Sequence, residues 1–161
     1  MFQNETMLNR FFIGYLEQLA EDVNDENLNS RMADGGHTPL WILGHLAICG
    51  ELGIKLLGGE LTHPEWLAQF GPGSTDDFAS SNLFEKDEFL NCINSSYSQM
   101  IKLATKSEAE RLNAPHGVEL LDGTPVKTLG DLIAHLLTTH FAFHTAQLSC
   151  WRRANGHPHL F

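Results

Sequence analysis

Four stretches of the chain place apolar residues at steps of three and four, the spacing that gathers them on one side of an α-helix. The predicted helices cover about residues 5–21, 40–57, 84–104 and 128–156. The second follows Thr38-Pro39, a favoured N-cap and first-turn pair, and the fourth begins at Thr128, which with Asp131 has the spacing of a capping box. The pattern predicts an all-α fold with four long helices.

The connections between these helices are uneven in length. Residues 58–83 are rich in Gly, Ser and Pro and hold one predicted short helix, which starts near Pro64 and runs through Leu67. Residues 105–127 hold one predicted helical turn at Ser107–Leu112. Long crossovers are typical of bundles that are not simply up-down-up-down. Since no repeat or linker interrupts the pattern, we expect one domain over residues 1–161.

Composition and charge narrow the class of protein. Of the 161 residues, 42% are hydrophobic, enough to bury a core without metal or disulfide staples. Ten basic and 20 acidic residues give a net charge of −10, so neither nucleic acid nor an anionic membrane is an expected partner. No run of 18 apolar residues predicts a membrane span, and the first five residues lack the features of a signal peptide. We therefore expect a cytoplasmic protein.

Nine histidines, nearly as many as all Lys and Arg residues together, are the most conspicuous chemical feature of the chain. His140 and His144 lie four residues apart on the fourth predicted helix, so both imidazoles occupy one face and can share a metal ion. Gln147 continues this face. A catalytic metal site usually takes three protein ligands and keeps one position open. The natural third ligand is His45, in the apolar middle of the second helix beside Gly44, which lets another group approach closely.

The same histidines also have a simpler interpretation. An HxxxH pair arises by chance fairly often in a histidine-rich chain, and a single buried histidine usually makes an ordinary hydrogen bond. Spacing alone leaves both interpretations open. His135 lies five residues before His140, so it points away from the pair and is expected at the surface or at a dimer interface. The other histidines are expected in local structure, loops or an exposed tail: His37, His63, His116, His157 and His159.

The three cysteines are expected to be free thiols. Cys49, Cys92 and Cys150 lie far apart and form no CxxC pair, which favours a reducing compartment. Cys49 follows His45 by four residues and can approach the histidine face. In its apolar mid-helix run it is nevertheless expected to be a small buried hydrophobic residue with an inert thiol. The function is therefore expected to be independent of cysteine.

Two longer segments carry a resemblance to a known family. Residues 41–47 (WILGHLA), and residues 140–148 (HFAFHTAQL) followed by Trp151-Arg152-Arg153, resemble the two signatures of the DinB-like superfamily of YfiT-type metal-dependent proteins. The resemblance covers essentially the whole chain and implies a four-helix bundle in an up-down-down-up arrangement, often a homodimer. It also implies one divalent metal ion bound by three histidines. These histidines correspond to His45, His140 and His144.

The resemblance also implies cofactors. Nickel or zinc suits the imidazole ligands best, and iron or manganese is compatible with them. Characterised relatives include thiol-dependent isomerases and S-transferases, which implies a small-molecule substrate and a low-molecular-weight thiol. From their positions, Gln147 is expected next to the ligands and Trp41 at the wall of the pocket. Many relatives carry Glu directly after the first histidine of the last helix, where this chain has Phe141.

Three functions remain open from the sequence. A divalent ion with open positions can ionise a bound thiol or lower the pKa of bound water. The first function is therefore a metal- and thiol-dependent transferase, and the second is a metal-dependent hydrolase. The third is a non-catalytic metal-binding or sensing protein, which is favoured by Phe141 in place of Glu and by the lack of paired acid and base residues.

Overall fold

A computed structural model describes residues 1–33, 35–77 and 84–160 of the chain, and within them it has helices and no strand. The all-α prediction is confirmed. Residues 78–83 of the predicted first long connection lie outside the described residues. The α-helices are α1 (Gln3–Ala20), α2 (Pro39–Leu56), α3 (Leu67–Phe70), α4 (Lys86–Lys106), α5 (Ala109–Asn113), α6 (Leu129–His135) and α7 (Phe141–Ala154). Short 3₁₀ turns cover Pro64–Trp66 and Glu119–Leu121.

The last long helix is continuous but not regular. Thr128 Oγ1 accepts a hydrogen bond from Asp131 N at 3.1 Å, and Asp131 Oδ2 accepts one from Thr128 N at 2.9 Å, so the predicted capping box starts α6. Between α6 and α7, residues Leu136–His140 form a π-helical turn, in which hydrogen bonds join residues five apart. The π-helical turn therefore changes which side chains before it and after it lie on the same face of the last helix.

Helix α2 is the central helix of the bundle. Fourteen of its 18 residues are buried, including polar His45 and Glu51. Its length and mean hydropathy of 1.2 would also suit a membrane span, but 78% of it is covered by the rest of the chain. A helix that is apolar on all sides is typical of a core position.

Small residues on α2 let α4 approach closely. A Cβ atom on Gly50 would lie 2.2 Å from Ser96 Oγ and 2.9 Å from the Tyr97 ring, and one on Gly53 would lie 2.4 Å from Met100 Sδ. Because residue numbers increase in the same direction along both helices at these contacts, α2 and α4 are parallel.

Helix α1 runs alongside the last helix and against α4. Asn9 Nδ2 donates to Leu137 O at 2.9 Å, and the hydroxyls of Tyr15 and Ser149 lie 3.4 Å apart, so α1 is parallel to the last helix. Near the other end of α1, Lys86 Nζ donates to Ala20 O at 3.1 Å, while Asn94 further along α4 bonds Glu17. These contacts make α1 and α4 antiparallel. The order of α1, α2, α4 and the last helix is up, down, down, up.

We expect Gly50→Ala to destabilise the bundle, because the new methyl group would overlap Ser96 and the Tyr97 ring. Overpacking of this kind costs about 1–3 kcal/mol of unfolding free energy. Urea denaturation followed by circular dichroism measures this change. The control is Gly14→Ala on α1, where a Cβ atom meets nothing within 4 Å. That change should stabilise the helix by about 0.5–1 kcal/mol. Equal effects of the two substitutions would contradict the close contact between α2 and α4.

Candidate metal centre

The structure brings together the three predicted histidines. His45 Nε2 on α2 lies 3.2 Å from His140 Nε2 at the end of the π-helical turn. The ring of His144 on α7 has its centroid 4.6 Å from the centroids of both other rings. His45 and His144 are only 4% and 6% exposed. The three imidazoles therefore form one cluster between α2 and the last helix.

Hydrogen bonds orient two of the three rings. His45 Nδ1 donates to Phe70 O at 2.6 Å, and His144 Nδ1 donates to Gln147 Oε1 at 2.7 Å. Because a carbonyl oxygen only accepts, both bonds keep the proton on Nδ1 and leave the Nε2 lone pair free. Partners of this kind usually hold metal-binding histidines in position. Gln147 thus contacts the cluster from the face of the last helix that it shares with His144.

Gly44 makes the Phe70 contact possible. A Cβ atom on Gly44 would lie 2.5 Å from the Phe70 ring, so a larger residue would push away the short helix α3 that ends at Phe70. The absence of a side chain on α2 brings the Phe70 carbonyl within reach of His45.

Burial keeps the imidazoles neutral at pH 7. It lowers the pKa of His140 to about 2, helped by the neighbouring His144, His45 and His135, and it lowers the pKa of His144 to about 4, helped by His45. Burial also lowers the pKa of His45, although the Phe70 hydrogen bond opposes the shift. The neutral imidazole is the form that binds a metal ion.

One nitrogen of the cluster is left without a partner. His140 Nδ1 is buried and has no hydrogen-bond partner among the described residues, while its Nε2 faces the free lone pair of His45 Nε2. Two imidazole nitrogens that face each other are compatible only if a proton or a cation lies between them. The donor set, three neutral imidazoles in a buried pocket, therefore fits a divalent metal ion.

Cys49 lies in the same cluster, within the reach that its spacing from His45 allowed. Its Sγ lies 3.5 Å from His45 Nε2 and 3.9 Å from His140 Nε2, and the three atoms form a possible metal-binding group. Burial raises the pKa of the thiol to about 12, which agrees with the expected buried and unreactive state of the chain alone. The sequence feature that indicates a position near the histidines is the four-residue spacing of Cys49 from His45, which equals the spacing from His140 to His144.

The orientation expected for His135 is wrong. Its ring centroid lies 5.6 Å from that of His140, and it lines the cavity beside the cluster instead of pointing away. The expectation assumed a regular α-helix. Because the turn Leu136–His140 is π-helical, residues five apart lie one above the other, which puts His135 and His140 on the same side.

A cavity of about 400 Å³ opens onto the cluster. His45, Cys49 and His140 form its polar end. Trp41 also lines it, together with Pro72, Gly73 and His135. The rest of the lining is aliphatic: Leu52, Leu56, Val118, Leu120, Leu121, Leu132 and Leu136. No Lys, Arg, Asp or Glu of the described ranges lines this cavity, which therefore suits an uncharged, largely apolar small molecule.

Trp41 links the cluster to the cavity wall. Its indole stacks on the His45 ring with centroids 4.4 Å apart, and on the His37 ring at 3.6 Å on the opposite face. The indole Nε1 donates to Ser74 Oγ at 3.0 Å. These contacts fix the plane of His45 and tie the loop that carries Ser74 to α2.

Asp76 is the main anchor of that loop. Its carboxylate, 4% exposed, accepts hydrogen bonds from Thr38 N at 2.7 Å and Thr38 Oγ1 at 2.8 Å, and it pairs with Arg31 Nη2 at 3.3 Å. Thr38 is also the N-cap of α2. The start of the core helix and the cavity wall are therefore held by one buried carboxylate.

A second group of potential ligands lies further along α2. Glu51, His63 and Cys92 converge, but they already bond each other: Glu51 Oε1 accepts from His63 Nδ1 at 2.6 Å and from Cys92 Sγ at 3.5 Å. Glu51 Oε2 accepts from the N–H groups of Thr62 and His63 at 2.8 and 2.9 Å. This carboxylate is fully occupied in fixing the loop after α2, so the group has an ordinary structural explanation.

Comparison with known proteins identifies the family of the chain. A family model described as the DinB superfamily matches residues 12–148 and confirms the resemblance found in the sequence. A search of curated proteins found no match.

We expect Asp76→Ala to lower the unfolding free energy by about 1–3 kcal/mol, because it leaves buried donors of Thr38 without an acceptor. Thermal or urea unfolding measures the loss. The neighbouring Asp77→Ala is the control, since Asp77 is exposed. Its effect should stay within about 0.5 kcal/mol. If both variants unfold like the wild type, Asp76 does not anchor the loop.

Proposed function

The chain belongs to the DinB superfamily, and from its histidine cluster and cavity we propose that it is a divalent-metal-dependent enzyme that transfers a thiol to a small electrophilic substrate. The observation that carries the proposal is the position of the cavity. It ends on His45 and His140, so a molecule bound there meets the histidine cluster directly.

Three histidines would hold the metal ion in this proposal: His45, His140 and His144. The Nδ1–H groups of His45 and His144 bond Phe70 O and Gln147 Oε1, which leaves the Nε2 atoms of these two rings available to a metal ion. When bound, a divalent ion with open positions supplies Lewis acidity that lowers the pKa of a thiol or of water. Nickel or zinc fits the ligands, and iron or manganese is compatible with them.

The remaining groups of the cavity would bind and shield the substrate. The aliphatic walls favour an uncharged electrophile and exclude bulk water from the polar end of the cavity. Trp41 offers a flat apolar face beside His45. In the transfer, the thiol gives up its proton and its sulfur forms a bond to the electrophilic carbon, while the bond from that carbon to its leaving group breaks and the leaving group departs with the electron pair. The low-molecular-weight thiol is proposed from the family resemblance.

A second candidate function is a non-catalytic metal-binding or sensing protein. The observation that favours it is the Cys49 Sγ, 3.5 Å from His45 Nε2. A fourth protein ligand is typical of structural zinc sites, which keep no open position.

The assembly and location proposed here rest on the family resemblance together with surface features. Met7 and Phe11 on α1 are 59% and 55% exposed, and these apolar side chains support the proposed homodimer. The net charge of −10 supports a small-molecule substrate over a nucleic acid or an anionic membrane. A cytoplasmic location agrees with the three free cysteines.

We expect the wild-type protein to bind about one divalent ion per chain and to conjugate electrophiles only when a thiol is added. Replacement of both His140 and His144 by Ala should abolish both properties, because it removes two of the three ligands. Elemental analysis and a conjugation assay of metal-loaded protein measure them. The control changes both His157 and His159 of the tail to Ala and should match the wild type.

The outcomes separate the candidate functions. Unchanged metal content in the His140 and His144 double variant would disprove the ligand assignment. Hydrolysis of test esters without thiol would favour a metal-dependent hydrolase. Metal binding without either activity would favour the sensing protein.

We expect Gln147→Leu to weaken metal binding by about 10–100-fold, because the variant can no longer hold the His144 ring through Nδ1. Competition titration against a chromogenic chelator measures the affinity. Gln99→Leu on the exposed side of α4 is the matched control and should bind like the wild type. Equal affinities of the two variants would show that Gln147 only packs against the helix.

A further inference from the structure

We propose that Cys49 is a fourth ligand of the metal ion, which would join the three histidines of the proposed function in a Cys-His₃ site. This inference rests on the metal binding proposed above, but it is tested separately from the enzymatic activity. It reverses the expectation from the sequence, which treated Cys49 as an inert hydrophobic residue.

The distances between the donor atoms support the inference. Around a tetrahedral zinc ion with usual bond lengths, two nitrogens lie about 3.3 Å apart, and a nitrogen and a sulfur lie about 3.5 Å apart. The structure has 3.2 Å between the Nε2 atoms of His45 and His140. Cys49 Sγ lies 3.5 Å from the first and 3.9 Å from the second. The three atoms already have nearly the spacing of three corners of such a tetrahedron.

The register of the two helices explains why four side chains meet. His45 and Cys49 lie four residues apart on α2, and His140 and His144 lie four residues apart on the last helix. Residues with this spacing occupy one face, one above the other. Since α2 and the last helix face each other, two such pairs bring four side chains into one cluster, in which the donor atoms of His45, Cys49 and His140 lie within 4.8 Å of one another.

The hydrogen bonding of Cys49 differs from that of the other buried cysteine. Cys92 Sγ donates to the Glu51 carboxylate at 3.5 Å, and it lies 4.0 Å from Ala47 O and 3.9 Å from His63 Nδ1, whose own proton goes to the same carboxylate. An oxygen atom therefore accepts its S–H group. In the part of the chain that the structure describes, the hydrogen-bond partners of Cys49 Sγ are the imidazole nitrogens of His45 and His140. Both of these nitrogens are proposed metal-binding atoms, so the sulfur lies where a ligand would lie.

A thiolate ligand would change the properties of the centre. Sulfur ligands favour zinc and other soft ions over magnesium or manganese. Four protein ligands fill a tetrahedral ion, whereas an ion with five or six positions keeps one or two open toward the cavity. The ligand role of Cys49 therefore bears directly on whether the centre is catalytic or structural.

Cobalt(II) substitution tests the inference, because a thiolate bound to cobalt gives an intense charge-transfer band in the near ultraviolet that imidazole ligands do not give. We expect this band in the wild type and its loss in Cys49→Ala and Cys49→Ser, with a fall in cobalt affinity of at least about 10-fold. Cys92→Ala and Cys150→Ala are the controls and should keep the band. The wild-type spectrum is informative even if a Cys49 variant folds poorly.

Each result has a distinct meaning. A wild type that binds cobalt without the charge-transfer band, or a folded Cys49→Ala protein with unchanged affinity, would overturn the inference and leave the three-histidine site intact. Loss of the band in Cys92→Ala alone would also overturn it, since the thiolate would then belong to the group around Glu51. A wild type that takes up no cobalt would disprove the metal site and this inference together.

Discussion

The burial of α2 on nearly every side is the constraint on which the rest of the structure depends. Each polar group on a helix in this position must find its partner inside the protein, because an unpaired buried group costs about 1–3 kcal/mol. His45 bonds Phe70 O and contacts His140, and Glu51 bonds the loop after the helix. At the first turn of α2, the Asp76 carboxylate accepts a hydrogen bond from the buried N–H group of Thr38. The polar residues of the core helix thus decide which segments pack around it.

The same contacts shape the cavity. Phe70 comes close because Gly44 has no side chain, and the loop beyond it is held by Ser74 and Asp76. This loop contributes Pro72 and Gly73 to the cavity wall. The histidine cluster and the cavity are therefore not independent features, because both are built from the neighbours that α2 requires.

The π-helical turn in the last helix determines which histidines of that helix lie beside the cavity. A regular α-helix would turn His135 away from His140, but the wider turn puts both on the cavity side. After the turn, α7 resumes with the ordinary four-residue spacing that places His144 next to His140. π-Helical turns are frequent at functional sites, and here the turn adds a third imidazole of the last helix to the surroundings of the pocket.

The sequence by itself determined the features that depend on neighbours along one helix. The four long helices, the capping box at Thr128 and the common face of His140 and His144 all follow from local periodicity and capping, and the structure has each of them. The third histidine was proposed from its place in an apolar run and from the family resemblance. The predictions about single helices succeeded because local spacing fixes which side chains share a face.

Only the tertiary structure decided which atoms meet across helices. Cys49 Sγ reaches His140 because α2 lies close to the last helix, a distance set by packing throughout the bundle and not by any local pattern. The side to which His135 points depends on one irregular turn, for which the sequence carried no recognised signal. Asp76 anchors α2 from 38 residues away along the chain. Hydrophobic periodicity states which face of a helix is buried, but the partner of each polar atom on that face depends on how whole helices pack.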